Sequence, residues 1–171
     1  MDKVDVLVLH GSPGAGKTTL ARAISELLRE ADLAHGVIDM DDISIVHPHP
    51  GRSFARENLR ALWPRYAAIP GLRLLLPSVI ADEEELVLLR AALPGANLAV
   101  CELTAPEAVL KERVTAREPN EFWRERLRRW VDVFHARDDL HRIRDFLVST
   151  HERPAEDAAR EVVDKVGWLT G

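Results

Sequence analysis

The densest chemistry in the chain lies in nine residues, GSPGAGKTT at 11–19. Gly11, Ser12, Pro13, Gly14, Ala15, Gly16, Lys17 and Thr18 fit the spacing G-x-x-x-x-G-K-[ST], and Thr19 follows. Glycines without a Cβ let a backbone fold tightly enough for successive N–H groups to line one concavity, a cradle for an anion. A helix beginning at the loop adds the positive end of its dipole. Lys17 supplies a full charge for the β and γ phosphates of a nucleotide, and the Thr18 hydroxyl is a ligand for Mg²⁺. The context is the one this loop requires. Val4 to Leu9, apolar but for Asp5, is a β-branched run of strand length, and Leu20, Ala21, Ile24, Leu27 and Leu28 then recur at helical spacing.

A second cluster is VIDMDDI, with Asp39 and Asp41 one residue apart. In an extended segment the two carboxylates share a face. A carboxylate beside a phosphate loop can hold Mg²⁺ or take the proton of a hydroxyl nucleophile. A solvated acidic turn is the plainer alternative, and Asp42 reads as such a cap or surface charge. An acid at the end of an apolar strand, as a motor ATPase needs, is missing from LRLLLPSV, where Pro77 and Ser78 stand instead.

These residues need a frame. Strand-like runs fall at 4–10, 36–40, 72–76, 98–103 and 145–149, separated by helical patterns at 17–31, 53–68, 82–92, 106–117, 119–137 and 154–166. Such alternation predicts an α/β fold: a five-stranded parallel sheet with helices on both faces, ligands gathering beyond the carboxyl ends of the strands. A length of 171 residues suits a single domain, 1–171. The net charge of −5 argues against a nucleic-acid partner, and the Arg-rich segment 111–144 is interleaved with acids. The single cysteine, Cys101, sits in an apolar run and reads as a core thiol. With no signal-peptide pattern and no apolar run of membrane-spanning length, the expected compartment is the cytoplasm.

The loop, the Asp-x-Asp pair and the closing stretch VSTHERPAEDAAREVV resemble the small P-loop kinases, a superfamily that includes shikimate kinase, gluconate kinase, adenylylsulfate kinase and antibiotic phosphotransferases. No signature of one member is present. The resemblance implies a P-loop nucleoside triphosphate hydrolase fold of kinase type, with ATP and Mg²⁺ as cofactors. It implies that Asp39, with Thr18, holds the metal and that Asp41 contacts the acceptor hydroxyl. It also implies an acceptor-binding segment at about 43–70 and a mobile lid at about 113–138 whose arginines reach the ATP phosphates. Arg113 and Arg117 lie four apart on one helix face, and Glu118-Pro119 reads as the lid hinge. Arg117 is the catalytic candidate of the lid and Arg113 a nucleotide contact; Arg124, Arg126, Arg128 and Arg129 stay unranked. By the same resemblance the adenine lies near STHERP, within reach of Arg153 or backbone groups.

On the acceptor side, Arg52, Arg56 and Arg60 could meet an anionic acceptor, although a solvated helix face is the plainer reading for at least two of them. His47 and His49 lack an evident third metal ligand. Trp63 and Tyr66 read as core aromatics. The function expected is ATP-dependent transfer of a γ-phosphoryl group to a hydroxyl of a small molecule. The alternatives are a nucleoside monophosphate kinase, whose acceptor is already ionised, and a non-catalytic ATP-binding protein.

Overall fold

A computed structural model describes residues 5–169. Five strands form one sheet: β1 (Asp5–Gly11), β2 (His35–Val37), β3 (Arg73–Ser78), β4 (Asn97–Thr104) and β5 (Phe146–Ser149). Every pairing is parallel, in the order β2-β3-β1-β4-β5. Among the described residues the helices are α1 (Lys17–Glu30), α2 (Phe54–Ala67), α3 (Glu83–Ala92), α4 (Glu107–Arg117), α5 (Glu121–His135), α6 (Leu140–Ile143) and α7 (Ala155–Lys165).

β1 lies at the centre, and its side chains alternate between two cores. Leu7 and Leu9 pack with α1 and α7 through Leu20, Ile24, Leu28, Val162 and Val163. Val6 and Val8 pack with α2 and α3 through Leu59, Trp63 and Leu89. A strand covered on both faces must be apolar throughout, which explains the unbroken run that precedes the glycine loop. Trp63 and partly buried Tyr66 belong to the second core, and the Trp63 indole N–H donates to Pro94 O at 3.0 Å. Burial pushes the Cys101 thiol up to about 12, so it packs as an inert core group.

The sheet and its helices match the α/β fold expected from the sequence, with local departures. The first strand was expected over 4–10; Val4 lies outside the described residues, and β1 continues to Gly11. The second strand, expected at 36–40, stops at Val37. Ile38 and Met40 still donate to Leu75 O and Pro77 O, at 3.0 and 3.1 Å, so the chain stays against β3 while leaving strand geometry. Asp39 and Asp41 are therefore not neighbours on an extended strand. Asp41 is helical in backbone (φ −68°, ψ −40°) and opens a 3-10 turn, Asp42–Ser44. The helix expected at 119–137 starts at Glu121, because Asn120 caps it by accepting from Trp123 N at 3.2 Å.

Candidate active site

The glycine loop connects the end of β1 to the start of α1. Gly16 has φ +92° and is the cap residue of α1, with Leu20 N donating to its carbonyl at 2.8 Å. Gly14 has φ +80°, and a Cβ there would meet Leu110 O at 2.8 Å. Both positions demand glycine, one for backbone conformation and the other also for close approach of α4. The Lys17 ammonium curls back onto the loop and donates to Gly11 O and Ser12 O, both at 2.9 Å. Burial pushes it down to about 8; the carboxylate of Asp41 pulls its pKa up, Arg117 pushes it down further, and Asp39 again pulls up.

Thr18 and Asp39, far apart in sequence, meet here. The Thr18 hydroxyl donates to Asp39 Oδ2 at 2.9 Å, and the other oxygen, Oδ1, accepts from Asp41 N at 3.0 Å. Asp39 thus ties the loop to the turn that presents Asp41. The Asp41 side chain opens to solvent on one side. Packing on its other side, followed by the charge of Asp39, holds its carboxyl above the ordinary Asp value, while Lys17 opposes the rise.

Two cavities flank this cluster. The first, of about 330 Å³, lies between the start of α1 (Gly16, Thr19, Leu20), Arg113 and Arg117 of α4, and the turn from β5 into α7 (Thr150, Arg153, Ala155). That volume falls in the range of small-molecule sites. The second, of about 170 Å³, contains Asp41, Ser44, His49, Arg52, Arg56, Ser78 and Glu85. Lys17 feels charges that belong to both: Arg117 lines the first, Asp41 the second.

The arginines differ in how they are held. Arg113 Nη1 donates to Gly14 O and Thr150 Oγ1, both at 3.1 Å, and Nη2 donates to Thr150 O at 2.8 Å. Its guanidinium clamps α4 to the glycine loop and to the β5–α7 turn. Arg153 pairs with Glu161 of α7 at 2.5 Å. Arg117, the last residue of α4, has neither hydrogen bond nor ion pair among the described contacts and stays available to the first cavity. Arg52 and Arg56 line the second cavity and Arg60 does not. Among the described residues no cluster of three His, Cys, Asp or Glu side chains that could hold a metal ion occurs, around HPHPG or elsewhere. The His49 ring instead accepts from Gly51 N at 3.1 Å.

Sequence reading missed two residues. Thr150 donates to Ala15 O at 2.8 Å while receiving Arg113, and so joins three segments. Its place at the end of a strand is the signal that could have found it. His10, the penultimate residue of β1, is fully buried and accepts from Ile80 N at Nδ1 over 2.9 Å. That bond puts the proton on Nε2, which has no partner. Burial, then the charges of Arg137 and Lys17, push its pKa down to about 3, so it stays neutral. Inside an apolar strand a single histidine carries no periodic signal.

A family model described as an AAA domain matches residues 6–137. No curated protein sequence matches the chain. Among solved structures, the APS kinase of Mycobacterium tuberculosis in complex with AMPPNP and APS superposes with a TM-score of 0.67 at 19% identity, covering 98% of this chain and 99% of that one. Kti12 of Chaetomium thermophilum in complex with ADP-AlF3 gives 0.66 at 20% identity, over 97% and 99%. Shikimate kinase from Acinetobacter baumannii in complex with shikimate gives 0.62 at 20% identity, over 98% and 95%. These likenesses concern the fold, and they extend over nearly the whole length of each chain. With the glycine loop opening α1 and the matched region running from β1 through α5, the chain belongs to this AAA-domain family, and it shares the fold of the solved structures above.

Proposed function

We propose that this protein is a phosphotransferase that moves the γ-phosphoryl group of ATP to a hydroxyl of a small molecule. The observation that carries this reading is that Lys17 feels the charges of both Arg117, which lines the first cavity beside the glycine loop, and Asp41, which lines the second. A donor nucleotide in the first and an acceptor in the second would meet at its ammonium.

The loop N–H groups and Lys17 bind the β and γ phosphates and stabilise the charge that spreads over the transferring group. Thr18 and Asp39 present hard oxygens 2.9 Å apart, a donor set that suits Mg²⁺, which takes one or two protein ligands and completes its shell with water and phosphate. When bound there, the ion would neutralise phosphate charge. Asp41 accepts the acceptor's hydroxyl proton as the new oxygen–phosphorus bond forms, the bond from γ-phosphorus to the bridging oxygen breaks, and ADP departs. Its raised pKa makes it a better proton acceptor than an ordinary Asp. Arg117 meets the developing charge when the segment 113–138 closes over the site, and closure excludes water that would otherwise hydrolyse ATP. Arg113 and Arg153 border the nucleotide, and the segment 43–70 borders the acceptor. One buried thiol and no disulfide suit action in the cytoplasm.

A nucleoside monophosphate as acceptor is the rival reading, because Arg52 and Arg56 would suit its phosphate. A screen of hydroxyl compounds and nucleoside monophosphates for acceptor-dependent ADP release separates the two. On the best hydroxyl acceptor, Asp41→Asn is expected to lower kcat by about 10²–10⁴, while Asp39→Asn raises the Mg²⁺ concentration needed for half-maximal rate. A nucleoside monophosphate as the sole good acceptor, with Asp41→Asn near wild-type activity, would decide for the rival. ATP binding without acceptor-dependent turnover would point to a non-catalytic nucleotide-binding role, of the kind the likeness to Kti12 leaves open.

A further inference from the structure

The second cavity says more about its occupant. Arg52 lies two residues before α2, and Arg56 lies in the first turn of that helix. Both line the cavity, and neither has a hydrogen bond or an ion pair among the described contacts. Arginines around the site that serve the fold are paired instead: Arg113 with Thr150, Arg137 with Asp139, Arg153 with Glu161. The carboxylates in the same cavity are not their counter-ions. Glu85 Oε2 accepts from Ala81 N at 2.9 Å, as part of the cap of α3, and Asp41 is held by the turn beside Lys17. Half-buried Arg56 and exposed Arg52 therefore carry charge into a cavity that offers them no partner among the described residues, which leaves both guanidinium groups open to a ligand. Guanidinium forks match the oxygens of carboxylates and phosphates. The cavity, about 170 Å³, is the smaller of the two that flank the cluster and suits a compact acid.

We infer that the acceptor is a small hydroxy acid whose oxyanion, a carboxylate or a phosphate ester, is held by Arg52 and Arg56 while its hydroxyl faces Asp41. The inference rests on the phosphotransfer reading above and adds the chemical class of the acceptor. The two arginines would act as specificity determinants, selecting charged over neutral alcohols and fixing which hydroxyl reaches the base. The Ser78 hydroxyl, whose contact to Val79 O is a long 3.5 Å, is free to donate to the same ligand.

The test separates acceptor recognition from nucleotide binding. The loop is first saturated with AMPPNP and Mg²⁺. Sulfate, glycerate, glycerol 3-phosphate and glycerol are then titrated by calorimetry into wild type, Arg52→Met, Arg56→Met and the double variant. Oxyanions are expected to bind at one site, each single variant weakening them roughly 10- to 100-fold and the double variant abolishing the signal; glycerol should give none. Arg56→Lys should restore part of the affinity, since the charge returns without the fork. Preference for glycerate or for glycerol 3-phosphate identifies the oxyanion. In the same proteins, ADP release with matched acids and neutral polyols should favour the acids, and the variants should raise KM more than they lower kcat. AMPPNP binding in every variant, with oxyanion affinity unchanged in the double variant, overturns this inference and leaves the phosphotransfer reading standing. Neutral polyols consumed as fast as their acids do the same. Failure of wild type to bind AMPPNP overturns both.

Discussion

Lys17 illustrates how far one residue's chemistry depends on its surroundings. Burial lowers its pKa from 10.5 to about 8. The sign of the consequence follows from which state binds more protons. Between about 8 and 10.5 the unfolded chain holds the proton and the nucleotide-free fold gives it up, so this lysine penalises folding below pH 8 and the penalty lifts as pH rises through that window. A bound polyphosphate reverses the bias, because its charge favours the ammonium. Nucleotide affinity is therefore expected to be flat below pH 8 and to fall above it, with proton uptake on binding that grows over the same range. Calorimetry in buffers of different ionisation enthalpy measures that uptake. Lys17→Ala should bind ATP weakly, show no such uptake and give no turnover while circular dichroism remains native. Undiminished turnover in a folded Lys17→Ala protein would end the phosphotransfer assignment.

Helix α4 carries two arginines one turn apart with different expected duties. Arg113 is occupied by Gly14 O and by Thr150, so it acts as a strut between the glycine loop and the β5–α7 turn. Arg117 ends the helix with no hydrogen bond or ion pair among the described residues, next to the 118–120 break in which Asn120 N donates to Glu118 Oε1 at 3.0 Å and Arg124 Nε to Glu118 O at 2.5 Å. Arg117→Ala should lower kcat by about 10²–10³ and change ATP affinity little, as befits a group that meets charge mainly in the transition state. Arg113→Ala should instead weaken ATP binding and lower the melting temperature together, since it frees three segments at once. Steady-state kinetics set beside nucleotide titrations distinguish the two outcomes. A pure KM effect for Arg117→Ala would assign it to ground-state binding.

At the scale of the whole molecule, the site depends on a short edge strand. β5 has four residues and delivers Thr150 to the glycine loop. Beyond its parallel ladder with β4, two side-chain contacts pin it there: Asp145 Oδ2 accepts from Val100 N at 2.7 Å, and Arg144 pairs with buried Glu102 at 2.6 Å. Breaking the pair from one side strands a buried carboxylate. Arg144→Met is expected to cost about 3–5 kcal/mol in urea unfolding, whereas Glu102→Gln combined with Arg144→Met should cost clearly less. Equal losses in the two proteins would mean that the ion pair does not hold the edge. The Arg144→Met protein should also bind nucleotide less tightly, because Thr150 and Arg113 lose their fixed partner strand.

The order of elements, the central apolar strand and the glycine loop were legible in the sequence, because each rests on local chemistry: hydrophobic period, backbone freedom at glycine, and residue type at fixed spacing. The same holds for Asp39 and Asp41 as candidates, since topology sends strand ends to one edge of the sheet, whereas Arg117 became a candidate through the resemblance to the small P-loop kinases. What local pattern could not decide was partnership. That Thr18 meets Asp39, that Arg113 is taken by Thr150 while Arg117 is free, and that Arg52 and Arg56 share a cavity that Arg60 does not enter are consequences of how helices lie on the sheet. The extended reading of Asp39 and Asp41 failed for the same reason: the Asp39 carboxylate binds Asp41 N and bends the chain into a turn, a local bond that exists only where β3 and Thr18 hold Asp39 in place. His10 was invisible because nothing in an apolar run distinguishes a buried histidine from its neighbours until Ile80, brought in by β3, supplies the donor that fixes its tautomer. Periodicity and spacing act over a few residues, whereas hydrogen bonding and desolvation at the site join segments that are remote in sequence, and only the packed structure sets those distances.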